Sequence, residues 1–93
     1  MNKIEQKFLT LVRSNRMRSF YTAHRILDMI STPVLFAAAN ELVNRATYLY
    51  NADQPEKADY ANQFAGQIRG LLKSRNQNVA ELDAKLEENL QVF

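Results

Sequence analysis

His24 lies one helical turn before Asp28, the spacing at which an imidazole and a carboxylate meet on one face of a helix. It is the only histidine, and cysteine is absent, which removes thiolate and multi-histidine metal sites and leaves few groups for acid–base catalysis. No serine sits in a G-x-S-x-G context, and the only glycines, Gly66 and Gly70, fall inside a helical pattern. No glycine-rich loop is therefore available to cradle a phosphate. The carboxylates are scattered over helix exteriors. These observations predict a protein that is not an enzyme and carries no cofactor or metal, with His24 and Asp28 as a helix-end pair beside the core.

A second constellation is better suited to binding than to catalysis. Arg18, Tyr21, Thr22 and Arg25, with Met29 beyond them, fall on one face at about 100° per residue, opposite Phe20, Ala23 and Leu27. Arg13 and Arg16 lie just upstream and extend the basic patch. Guanidinium forks grip oxyanions and tyrosine offers a stacking plane, so the face suits a nucleobase, a phosphate or an acidic protein surface. The competing expectation is a solvated face whose arginines pair with Asp28 or with the acidic end of the chain.

Three further patterns carry information. Asn40, Asn44, Thr47 and Asn51 form a polar stripe, although asparagine is a mediocre helix former; the stripe meets either water, a partner or a buried polar layer. Asp59, Asn62, Gly66 and Gly70 line the side of a helix away from Phe64, Ile68 and Leu71. Two glycines in successive turns cost about 1 kcal/mol each relative to alanine. They predict a close crossing by another helix of the chain, a docking site for a second copy or partner, or tolerated softness. Finally, Val79, Leu82, Leu86 and Leu90, followed by Phe93, make a narrow apolar seam that fits an interhelical groove or a partner chain.

The elements that must position these residues are all helical. No segment alternates with strand period and no hairpin dipeptide occurs. Helix boundaries fall at about 2–14, 17–31, 33–51, 54–74 and 79–91, where apolar phases break and capping residues recur. Asn2 with Glu5, and Asn78 with Glu81, have capping-box spacing, and Thr32-Pro33 reads as an N-cap followed by proline at the first helical position. Asp53-Gln54-Pro55-Glu56 restarts the chain with a similar spacing. The expected fold is an all-α, single-domain bundle of five helices spanning 1–93, with the third and fourth as an antiparallel pair at its centre. A tetratricopeptide-like pair across residues 48–64 fails on spacing.

Ninety-three residues suffice for one core without disulfides, and 46% hydrophobic with 24% charged residues is ordinary for a soluble domain. The first fourteen residues carry Lys3, Glu5, Lys7 and Arg13 and hold no apolar signal-peptide core, and the longest strongly apolar run, 34–39, is too short to span a membrane. A cytoplasmic protein is expected. Net charge is only +2, yet residues 1–30 hold six basic side chains against Glu5 and Asp28, while residues 76–93 hold Lys85 against Glu81, Asp83, Glu87 and Glu88. These two ends either dock on one another, within a chain or between chains, or are two ordinary solvated surfaces. The function expected from these features is a small interaction module, acting as regulator, inhibitor or adaptor on a protein partner and assembling with itself. The alternative is a nucleic-acid or nucleotide binder using Arg13, Arg16, Arg18, Tyr21 and Arg25.

Overall fold

Asn15, Asp53 and Asn76 hold left-handed backbone, with φ of 52°, 63° and 61°. Short polar side chains tolerate this region better than other non-glycine residues, and each of the three stands two residues past the last residue of a helix. Beyond Asp53, the Gln54 N–H donates to Leu49 O at 2.9 Å; beyond Asn76, Gln77 N–H donates to Leu72 O at 3.1 Å. These six-to-one bonds close a helix C-terminus and turn the chain sharply. The left-handed residues that follow α1, α3 and α4 are thus asparagine and aspartate, while both glycines lie inside a helix.

The computed structural model describes residues 1–91, with side chains through Leu90; Phe93 of the expected seam lies outside the described residues. The elements are α1 (Lys3–Arg13), α2 (Met17–His24), a 3-10 turn (Leu27–Met29), α3 (Thr32–Asn51), α4 (Pro55–Ser74) and α5 (Ala80–Gln91). Among the described residues there is no strand, and the all-α bundle is as the helical periods predict. The α3 and α4 helices make the most extensive contact in the molecule. They run antiparallel: Arg75, at the end of α4, reaches Thr32 at the start of α3.

Ala38, Ala39, Ala46, Ala58, Ala61 and Ala65 are all fully buried, and their small size lets two twenty-residue helices lie close together. Around this pair, Phe8 of α1, Phe20 of α2 and Phe64 of α4 form an aromatic group, with ring centroids 6.4 Å apart for Phe8–Phe64 and 5.1 Å for Phe20–Phe64. Those separations are in the favourable range for tilted rings. Leu35, Leu42, Val43, Ile68 and Leu72 fill the interior beside them.

The second helix is shorter than the expected 17–31. It ends at His24, and the chain tightens into bonds three residues apart: Ile26 N–H to Ala23 O, Met29 N–H to Ile26 O and Ile30 N–H to Leu27 O. Leu27 and Ile30 still face inward. At the 3-10 turn that follows, Arg75 donates to Ile30 O at 2.7 Å and to Asp28 O at 3.3 Å. The start of α3 also differs by one position: Ser31, not Thr32, is the N-cap. Its backbone N–H donates to Glu5 Oε2 at 3.0 Å, so a carboxylate from α1 sits at the positive end of α3. Arg45 supplies the reciprocal tie, donating to Val12 O near the end of α1 at 2.8 Å.

Candidate interaction face on α2

The final helix is seated by a polar contact that an apolar reading of α5 overlooks. Asn89 is buried, with its side-chain amide donating to Asn62 Oδ1 at 3.0 Å and to Val43 O at 3.3 Å. Its own Oδ1 accepts from Thr47 Oγ1 at 2.7 Å. The network joins α3, α4 and α5, and each of its members has a partner, as buried polar groups require. Asn89 stands three residues after Leu86 and seven after Leu82, squarely on the inward face. Leu90 is consequently turned out and 67% exposed. Of the polar stripe, Thr47 is exposed but reaches this network with its hydroxyl, Asn40 accepts from Lys85 Nζ at 3.5 Å, and Asn44 and Asn51 are exposed.

Five of the residues expected to share an interface, Asp59, Asn62, Gly66, Leu86 and Leu90, do line one groove of about 280 Å³ between α4 and α5. Leu82 is buried in the core and Gly70 is exposed. The crossing is not tight at the glycines: a Cβ built on either would meet nothing within 4 Å. Of the three readings of the glycine face, the close crossing by another helix of the chain is therefore absent at both positions. Asp59 is engaged by Tyr50, whose hydroxyl donates to Asp59 Oδ1. Burial first, then this carboxylate, push the Tyr50 phenol up to about 12.

Most charged side chains near the core have an identifiable structural duty. Besides Glu5, Arg45 and Arg75, Arg13 forms a forked pair with Glu41 at 2.9 and 3.2 Å, which removes it from the proposed basic face. The fork holds the Glu41 carboxyl below its ordinary range. Arg69 grips Asp83 in the same manner at 2.6 and 3.0 Å, holding that carboxyl down and fixing α5 to α4. At Glu5, the side chain and backbone of Ser31 lower the carboxyl against the opposing effect of burial.

The arginines of α2 are different. Arg16, Arg18 and Arg25 are exposed and make no ion pair among the described residues. Between Arg18 and Arg25 stands Tyr21, 69% exposed. Thr22 is half-buried and its hydroxyl donates back to Arg18 O at 3.1 Å, so it braces the helix rather than joining the face. Arg25 is the C-cap, still right-handed in backbone, and Met29 lies on the following 3-10 turn. The expected His24–Asp28 pair does not form, since α2 stops at His24 and their one-turn spacing is lost.

His24 instead faces a groove between α2 and α4 of about 320 Å³. Phe20 and Phe64, in tilted contact with each other, provide its apolar floor. Met17 and Tyr21 rise on the α2 side, and Tyr60, Gln63 and Gln67 on the α4 side. Met17 is 58% exposed. Tyr21 therefore borders the apolar groove on one side and the two arginines on the other. An apolar trough with amide and phenol edges beside free guanidinium groups is chemically fit to receive an acidic, partly apolar surface.

Among the described residues no three histidines or carboxylates are placed to hold a metal, and no helix is long and apolar enough to cross a membrane. Comparison of the chain with protein-family models, with curated proteins and with solved structures finds no match in any of the three.

Proposed function

We propose that this protein is a small, non-enzymatic interaction module of the cytoplasm that regulates, inhibits or adapts a protein partner by occupying its surface, and that it also assembles with itself. The observation that carries this reading is the α2 face: Arg16, Arg18 and Arg25 without ionic partners, beside exposed Tyr21 and Met17 on an aromatic-floored groove. Exposed aromatic and arginine side chains are the residue types that dominate protein interfaces. Lys3, Lys7, Lys57 and Lys73 are likewise exposed without an ion pair, but the three arginines stand beside an exposed tyrosine and an aromatic-floored groove.

The test is quantitative affinity capture from the native cell with wild type, with the Arg18→Glu/Tyr21→Ala variant, and with Tyr48→Ala as a control at an equally exposed tyrosine. Protein partners recovered with wild type should fall several-fold with the first variant and persist with the control. Equal recovery in all three samples would remove the α2 face as the binding surface. The same free guanidinium groups around a stacking-competent tyrosine favour nucleic acid as the second reading. That reading requires binding to a single-stranded oligonucleotide that weakens steeply with salt and is lost in Arg18→Ala/Arg25→Ala.

A further inference from the structure

We propose that the α2 face of one copy receives the outward face of α5 from a second copy, giving head-to-tail self-association; this rests on the reading of α2 as an interaction face. The two faces have opposite and unused charge. Glu81, Glu87 and Glu88 are exposed on α5 and make no ion pair among the described residues, just as Arg16, Arg18 and Arg25 make none on α2. Leu90, 67% exposed, lies one turn beyond Glu87 at the edge of this face, where α5 borders the groove against α4. Tyr21 and Met17 border the apolar groove, with Arg18 and Arg25 in a parallel stripe beside them. Leucine beside glutamate thus matches a groove beside arginine.

The match cannot be made within one chain. The inward side of α5 is held on α3 and α4 by Leu82, by Asn89 and by the Arg69–Asp83 fork, and no ion pair joins α5 to α2. A contact between two different patches is heterologous, so each copy keeps one free face and association continues into a chain or closes into a ring. The charged rim sets orientation and makes the association salt-sensitive, while Leu90 over the Phe20–Phe64 floor supplies the apolar contact.

Sedimentation velocity on purified full-length chains tests this directly. At low salt the wild-type mass should rise with concentration. Arg18→Glu/Arg25→Glu, which spoils the α2 face, and Leu90→Asp, which spoils the α5 face, should each remain monomeric. Mixed together, they should form a one-to-one dimer that grows no further, because only one intact α2 face and one intact α5 face remain per pair. Circular dichroism melts confirm that these exposed substitutions leave the fold intact. The proposal is overturned if wild type stays monomeric at millimolar concentration, if neither variant alters its assembly, or if the mixture of monomeric variants yields no dimer. A monomeric wild type that still captures a foreign protein through Tyr21 would remove self-association and leave the interaction reading standing; loss of both would remove both.

Discussion

Along α3 and α4, alanines bring two long helices together and the neighbouring polar groups are satisfied, down to the Thr47–Asn89–Asn62 network. The eight-residue α2 is built otherwise. Phe20 and Ala23 anchor it, while Met17, Arg18, Tyr21 and Arg25 project outward. Both regions contain arginine, yet Arg45, Arg69 and Arg75 bond specific acceptors on other elements, whereas those of α2 do not. The difference separates residues that hold the fold from residues the fold merely displays, and the displayed group is where binding should be sought.

Breaking the first kind of residue should be costly. Phe64→Ala removes the ring shared by α1, α2 and α4 and should destabilise by about 3–5 kcal/mol in a urea titration. It also removes the floor of the groove, so its binding defect would follow from unfolding. Asn89→Ala should cost about 1–3 kcal/mol by stranding Asn62 and its neighbours, whereas Asn62→Leu/Asn89→Leu should recover most of that loss. If the single and double variants are equally destabilised, the network is not what seats α5.

A pH titration sharpens the same contrast. The Glu5, Glu41 and Asp83 carboxyls are all lowered in the folded chain from ordinary values of 4.5, 4.5 and 3.8. Their contribution is complete above those values and is lost as pH falls through the lower, folded ones. Glu5→Gln should accordingly flatten the acid limb of a stability profile. Tyr50 has the opposite sign: raised from 10.0 to about 12, it contributes fully below pH 10 and loses that contribution as pH climbs toward 12. Tyr50→Phe should flatten the alkaline limb.

Smaller effects are expected where side chains meet little. Gly66→Ala and Gly70→Ala should each stabilise by about 0.5–1 kcal/mol, because a Cβ at either position meets nothing within 4 Å among the described residues. A loss of stability would show that the glycines accommodate something after all. At the bottom of the scale, Arg18→Ala, Tyr21→Ala and Arg25→Ala should lie within about 0.5 kcal/mol of wild type.

Helix number and buried faces were legible because they depend on local spacing: Phe20, Ala23, Leu27 and Ile30 face inward, as their three-and-four rhythm requires. The early end of α2 was not, since the 3-10 turn that replaces its last turn is tied by Arg75, forty-five residues beyond Ile30. Removal of Arg13 from the basic face has the same origin in Glu41, twenty-eight residues away. Asn89 had a usable local signal, its spacing from Leu82 and Leu86, but following only apolar residues placed Leu90 inside instead. Gly66 and Gly70 illustrate the reverse limit: their types suggest a close crossing, and only the neighbouring backbone determines whether one exists.

Tyr21 and Tyr48 are 69% and 70% exposed, one beside the arginines of α2 and the other on α3. A photoreactive phenylalanine analogue at each position, illuminated in the native cell, compares the two surfaces at matched exposure. The α2 face as binding surface predicts a discrete covalent adduct from position 21 and none of comparable yield from position 48. Adducts from position 48 alone, or none from either, would contradict it.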